Sequence, residues 1–282
     1  CWWCHNPESQ SMTPELMHDD RKCLLCGACV TVCPVRCLAV RDGAWRIDRP
    51  ACTLCGRCVE VCPSGALSMK GRVIEDGELL RILAEDRDFY DASGGGVTFS
   101  GGEPLHQAEA LASLLPELRR AGMHVAVETA GFVAPDRLAL LGDGVDLYLY
   151  DVKCMDPERH RLGTGEDNRL ILRNLDFLAR SGVPVVVRVP VIPGFNDTRD
   201  DVAAIAAHVA GLGLARMDLL PFHRLGGGKY RALGRPDPSA SLVPPEAGLV
   251  RQLKETAESF GLQVRVEGQA DTTANAGLPS QA

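Results

Sequence analysis

The chain has 282 residues, enough for one large domain or two smaller ones, and its 45 % hydrophobic and 24 % charged content is ordinary for a globular protein. No apolar run is long enough to span a bilayer, which argues against a membrane role. The net charge of −7 argues against nucleic acid as a partner. The unusual feature is cysteine: of 12, all but Cys154 fall within the first 62 residues. A disulfide framework is the common reading of so many cysteines in a secreted chain. Here they come in C-x-x-C steps, with Pro34 and Pro63 closing two of the runs. That pattern suits thiolate ligation in a reducing compartment, so a cytoplasmic location is expected.

In chain order, Cys1-Trp2-Trp3-Cys4-His5-Asn6-Pro7-Glu8 comes first. Two closely spaced cysteines followed by a turn-forming Asn-Pro make a loop suited to holding metal rather than packing a core. Residues 9–22, with Pro14 and several polar side chains, read as a linker. An internal repeat follows. Cys23-Leu-Leu-Cys26-Gly-Ala-Cys29-Val-Thr-Val-Cys33-Pro34 matches Cys52-Thr-Leu-Cys55-Gly-Arg-Cys58-Val-Glu-Val-Cys62-Pro63. Each half is the bacterial ferredoxin run, in which three thiolates wrap one cubane and the fourth crosses to the other cluster. Cys23, Cys26, Cys29 and Cys62 are therefore assigned to one 4Fe-4S cluster, and Cys52, Cys55, Cys58 and Cys33 to a second. Zinc knuckles do not explain eight cysteines in this duplicated order. A segment this short cannot build a sufficient core alone, so the clusters also serve as its staples. Cys37 aligns with Ala66 and reads as a structural thiol, and Cys154 as a small apolar filler.

From residue 76 cysteines stop and β-rich runs alternate with helical ones. Leu79, Leu80, Ile82 and Leu83 predict a helix before Gly94, and Val97–Phe99 a strand. Leu111, Leu114, Leu115 and Leu118 predict a helix, and His124–Glu128 a strand. Val145–Val152 and Val183–Ile192 look like buried parallel strands. A helix over 200–211, a strand at Met217–Leu220, a helix over 245–260 and a strand at Leu262–Val266 complete a βαβ rhythm. Residues 268–282 read as a polar tail. The expected domains are a cluster loop (1–15), a two-cluster insert (16–75) and a barrel (76–267).

In such folds chemistry gathers at the carboxyl ends of the strands. There lie Ser100-Gly101-Gly102-Glu103-Pro104, Glu128-Thr129, Asp151-Val152-Lys153, Arg188 within an otherwise apolar run, and His223 after Leu219-Leu-Pro-Phe. A charge inside an apolar strand is costly unless paired. Taken singly, a Gly-Gly turn and an ion pair are common structural features. His106, His160 and His208 lack such a setting and read as surface or satisfied core histidines.

Together these motifs, in this order, resemble the activating enzymes of glycyl radical enzymes, within the radical S-adenosylmethionine (SAM) superfamily. The resemblance implies an α/β fold, a partial (β/α)6 radical SAM barrel with an inserted α+β ferredoxin-like two-cluster domain. It makes Cys1 and Cys4 the second and third ligands of a SAM-binding 4Fe-4S cluster. The first would lie four residues upstream of Cys1, so on this reading the sequence is a fragment lacking its first strand and one ligand. The resemblance further implies that Trp3, Gly101, Gly102, Glu103, Lys153, Arg188 and His223 bind SAM. Lys153 and Arg188 are expected at its carboxylate, and Glu128, Thr129 and Asp151 at a monovalent cation beside it. Three clusters are expected in all. The expected chemistry is one-electron cleavage of SAM to a 5′-deoxyadenosyl radical, which takes a hydrogen atom from a glycine of a partner glycyl radical enzyme. A flavodoxin or ferredoxin is the expected donor and a monomer the expected state. The alternatives are a ferredoxin-type electron carrier and a radical SAM enzyme acting on a small molecule.

Overall fold

A computed structural model of the chain describes residues 1–268. The expected polar tail lies outside the described residues beyond Gly268. The chain forms two compact units, one comprising Cys1, Leu79–His223 and the segment from Val243, the other Trp2–Glu78 and Arg224–Leu242. This division differs from the boundaries expected above, because residues 2–15 and 224–242 group with the cysteine-rich segment.

In that cysteine-rich unit the elements are β1 (Glu15–His18), α1 (Ala28–Thr31), β2 (Leu38–Arg41), β3 (Ala44–Ile47), α2 (Arg57–Glu60) and β4 (Leu67–Lys70). β1 pairs antiparallel with β4, and β2 with β3. The sequence repeat is thus a structural repeat. Gly27 and Gly56 occupy matching positions before α1 and α2, each at φ +77, where a side chain is strained. Leu25 and Leu54, at φ 52 and 54, make the same left-handed excursion inside each cysteine loop. The expected linker over 9–22 is corrected here, since it contains β1. Leu16 is buried and packs with Cys29, Cys37, Leu38, Cys58 and Leu67. Two adjacent apolar residues carry no periodicity, so sequence pattern could not reveal so short a strand.

The other unit continues with α3 (Asp76–Ala84), whose first residues belong to the cysteine-rich unit, then α4 (Arg87–Ser93), β5 (Gly96–Phe99), α5 (Ala108–Arg120), β6 (His124–Thr129), α6 (Pro135–Ala139) and β7 (Leu147–Asp151). After these come α7 (Pro157–Thr164), α8 (Arg169–Ser181), β8 (Val185–Val191), α9 (Arg199–Gly211) and β9 (Arg216–Pro221). The short helix α10 (Gly227–Ala232) belongs to the cysteine-rich unit, and α11 (Ala247–Glu258) and β10 (Gln263–Val266) close the described chain. Strands β5 to β10 form one six-stranded sheet in consecutive order, parallel throughout, with β5 and β10 at its edges. This is a partial barrel.

Alternation along the strands separates two chemistries. Thr129, Tyr150, Val187, Met217 and Val264 are cross-strand partners in one row, and all are buried. The helices pack on this side, where Ile171, Leu175 and Leu178 of α8 join the same core. One residue further along, on the opposite face, a polar row begins. Tyr150 donates its hydroxyl to the Ile171 carbonyl at 2.7 Å. Its ring leaves no room beside Gly131, where an added Cβ would fall 1.8 Å from the Tyr150 hydroxyl.

Candidate functional site

The polar row is built by strand register. Asp151 of β7 pairs with Arg188 of β8, Arg188 with Asp218 of β9, and Asp218 with Arg265 of β10. Cross-strand partners share a face, so acid and base alternate across four strands. Arg188 Nη1 lies 3.0 Å from Glu128 Oε2, and its Nε 4.0 Å from Asp151 Oδ1. Lys153 Nζ donates to Asp151 Oδ2 at 3.1 Å, and its side chain is only 10 % exposed. The four charges sum to zero, which makes their shared partial burial tolerable. Beside them is a cleft of about 390 Å³ lined by Glu128, Arg188, Asp218, Leu220, Arg265 and Glu267. Burial pushes the Asp218 carboxyl above the usual range, although Arg265, Arg216 and Arg188 pull it down. Sequence reasoning missed Asp218 and Arg265; the available signal was a charge at the same strand position as Arg188 on two following strands.

Three buried asparagines fix the loops that leave these strands. Asn196, fully buried, donates to the Lys153 and Pro190 carbonyls at 2.7 Å each and accepts from the Ile192 N–H at 2.7 Å. It ties the end of β7 to the end of β8. Asn168 donates to the Cys154 and Met155 carbonyls. Asn174 donates to those of Gly131 and Val133. An amide side chain can meet two loop carbonyls at once, and leaving them unpaired inside the protein is costly. None of the three stood out in the sequence.

Gly101 and Gly102 are exposed just beyond β5. Glu103 is a bracket between strand ends. Its carboxylate accepts from the Leu105 N–H at 3.1 Å, the Thr129 hydroxyl at 2.7 Å and the Ala130 N–H at 3.0 Å. The Thr129 hydroxyl in turn accepts from the Gly131 N–H. The expected cation set is not brought together. Glu128 and Asp151 meet at Arg188, whereas Thr129, the next residue along β6, is turned to the other face, buried and engaged with Glu103. His223 is exposed after β9. Of the histidines set aside, His160 is buried with Nδ1 2.6 Å from the Glu166 carbonyl oxygen. Cys154 is buried, as a filler should be.

In the cysteine-rich unit the eight repeat cysteines ring two voids. One is lined by Cys33, Cys52, Cys55 and Cys58, with Cys37 as a fifth cysteine in its wall. The other is lined by Cys23, Cys26, Cys29 and Cys62. Each set joins three cysteines of one run to the fourth of the other, a grouping that suits a cubane cluster. Burial alone would raise the Cys62 thiol. N–H groups of Leu67, Ala66 and Ser64 and the Ser64 hydroxyl outweigh it and hold the thiol below its ordinary value. Cys33 is likewise lowered against burial, by the N–H groups of Cys37, Val35 and Arg36 and the Cys37 thiol. Cys37, by contrast, is pushed up to about 12, first by burial and then by Cys33, and stays a protonated thiol.

The first loop is clamped within the same unit. Cys1 is exposed and Cys4 half-buried. Trp3 is buried and meets Trp2 edge to face. Lys229 donates to Asn6 Oδ1 and to Glu8 Oε1, the latter at 2.6 Å. Arg235 donates to the Pro7 carbonyl at 3.0 Å and pairs with Glu15. His5 packs so closely on Gly226 that an added Cβ there would sit 3.1 Å from the His5 Cα. Asn6 and Glu8 thus hold the loop to residues 224–242, which is why those residues group with this unit. Lys229→Met is expected to lower stability by about 1–2 kcal/mol, since it removes two half-buried charge-assisted hydrogen bonds. A thermal-unfolding midpoint that does not move would remove the clamp from this account.

These observations agree with comparison to known proteins. The Radical SAM superfamily profile matches residues 49–206, more than half of the chain, and a 4Fe-4S dicluster domain matches residues 15–63. The chain is 42 % identical over 270 residues to the isethionate sulfite-lyase activating enzyme of Nitratidesulfovibrio vulgaris, covering 92 % of this chain and 87 % of that one. It is 40 % identical over 241 residues to the choline trimethylamine-lyase activating enzyme of Oleidesulfovibrio alaskensis, covering 83 % and 78 %. Among solved structures, a domain of pyruvate-formate lyase-activating enzyme from Bacteroides vulgatus superposes with a TM-score of 0.53 at 28 % identity, over 62 % of this chain and 99 % of that one. The protein is a radical SAM enzyme with a ferredoxin-type 4Fe-4S region, and it belongs to the activating enzymes of glycyl radical enzymes. Its partner is accordingly a glycyl radical enzyme. The electron-carrier and small-molecule alternatives give way to this assignment. No helix among the described residues is long and apolar enough to cross a membrane.

Proposed function

We propose that the paired charges at the ends of β6, β7 and β8 receive SAM, and that Cys1 and Cys4 hold the cluster it binds. The observation that carries this reading is the Lys153–Asp151–Arg188–Glu128 chain, a zero-sum set beside a polar cleft. Lys153 and Arg188 turn from their acids to the carboxylate of the ligand, a geometry that Arg in particular suits. Gly101 and Gly102 offer exposed backbone to its amino group. Glu103, already saturated by Thr129, Ala130 and Leu105, orients that backbone and serves SAM indirectly. Trp3 and His223 are the remaining residues proposed to bind SAM. The cluster, when bound, supplies the single electron that cleaves a sulfur–carbon bond of SAM. The insert's Cys23, Cys26, Cys29 and Cys62, and its Cys52, Cys55, Cys58 and Cys33, hold two further clusters. The protein would then hold three clusters in all, and a flavodoxin or ferredoxin would supply the electron. The protein works as a cytoplasmic monomer, docking a glycyl radical enzyme.

Anaerobic reconstitution tests this. Three clusters by iron content, one of whose electron paramagnetic resonance signals shifts with SAM, support the reading. Two clusters, both indifferent to SAM, would overturn it.

A further inference from the structure

The two cluster voids are built from the same repeat, but their walls differ. Register gives the correspondence. Leu67 of β4 faces His18 across the strands, and Leu38 of β2 faces Ile47. Met69 faces Leu16, and Val40 faces Trp45. His18 and Trp45 of one half therefore correspond to Ile47 and Leu16 of the other. The void ringed by Cys23, Cys26, Cys29 and Cys62 is lined by both His18 and Trp45. The void of Cys52, Cys55, Cys58 and Cys33 is lined by Leu16, Leu38 and Met69, and by the Cys37 thiol.

His18 and Trp45 stack face to face, with ring centroids 4.1 Å apart and planes 14° from parallel. Trp45 Nε1 and His18 Nε2 are both buried and without a hydrogen-bond partner. An indole nitrogen can only donate, so a buried one without an acceptor is costly. Trp45 lines the void beside Cys23, Cys26, Cys29 and Cys62, so an acceptor for its N–H lies on that side.

We propose that the Trp45 indole N–H donates a hydrogen bond to the sulfur of the cluster held by Cys23, Cys26, Cys29 and Cys62, and that the stacked His18 holds the indole in place. Hydrogen bonds to cluster sulfurs raise the reduction potential by stabilising the reduced, more negative state. The twin cluster has an aliphatic residue at the matching position and lacks this donor. The two insert clusters therefore differ in their donors: the Trp45 indole at one, and at the twin the Cys37 thiol, 3.5 Å from Cys33. This rests on the assignment of the eight cysteines to two clusters and adds a tuning role for Trp45.

The test is a potentiometric titration of the reconstituted protein, followed by electron paramagnetic resonance, on the parent and on Trp45→Phe. Phe keeps a ring to stack on His18 and removes the N–H. One insert couple is expected to fall by about tenfold in its reduction equilibrium, about 59 mV for one electron, while the other stays. Should Phe leave a gap that impairs cluster uptake, benzothienylalanine at position 45 keeps the indole shape without the N–H and is expected to give the same shift. Two clusters with unchanged potentials in these variants overturn the proposal alone. A parent protein that takes up no cluster at the eight cysteines overturns the cysteine assignment with it.

Discussion

Replacing Arg188 with methionine is expected to weaken SAM binding by about one to two orders of magnitude, the loss that follows when a charge-assisted contact of about 1.5–3 kcal/mol is removed. Methionine keeps much of the arginine stem's volume, so the packing at this position is largely preserved. What goes is the cation that joins Glu128 at 3.0 Å to the row beyond it. Asp151 retains Lys153 at 3.1 Å, so the fold survives with a smaller stability loss. Asp218, already pushed up by burial, loses one of the three arginines that hold it down and moves further up. Calorimetric titration with SAM, beside thermal unfolding, separates the two effects. Undiminished affinity in a folded variant would take Arg188 out of the site.

The second large effect falls on stability. Asn196→Ala is expected to cost about 3–5 kcal/mol, because it strands two carbonyls and one N–H inside the protein. The lost partners are the Lys153 and Pro190 carbonyls and the Ile192 N–H, all at 2.7 Å. Asn196→Asp is the sharper variant. Its carboxylate still accepts from Ile192 but cannot donate to either carbonyl, and it brings a charge to a fully buried position. Asp is therefore expected to be worse than Ala. Denaturant unfolding of both variants checks this, and an Asp variant as stable as the parent would mean that the β7–β8 tie is unimportant. Because Asn196 holds the Lys153 backbone, Ala should also weaken SAM binding under conditions where the variant remains folded.

The strands were legible because they carry long apolar runs. Val183–Ile192 announced β8, and Val145–Val152 announced β7. The helix α8 was equally available, with Ile171, Leu175 and Leu178 at helical spacing, but Arg169, Arg173 and Arg180 broke up the apolar texture around them. β1 was invisible, because Leu16 and Met17 are too few to show a period and gain their burial from partners far along the chain. The crossed cysteine sets were assigned from spacing alone. The strand-end charges were visible one at a time. Their alternation from Asp151 to Arg188, Asp218 and Arg265 was not, because register between distant strands is a tertiary fact. For the same reason Lys229 and Arg235 gave no signal. They act on Asn6, Pro7, Glu8 and Glu15, more than two hundred residues earlier. The side chains of Glu128 and Thr129 part because the two are consecutive in a strand and turn to opposite faces.

The central claim is that this protein places a radical on a glycine of another enzyme, and isotope transfer tests it most directly. A glycyl radical enzyme partner, deuterated at its glycine α-carbons, is incubated with the reduced protein and SAM under anaerobic conditions. The account predicts a glycyl radical signal on the partner and one deuterium in the 5′-deoxyadenosine recovered. Cleavage of SAM with no deuterium transferred from a competent partner, and no radical upon it, would contradict the account and return the chain to small-molecule chemistry.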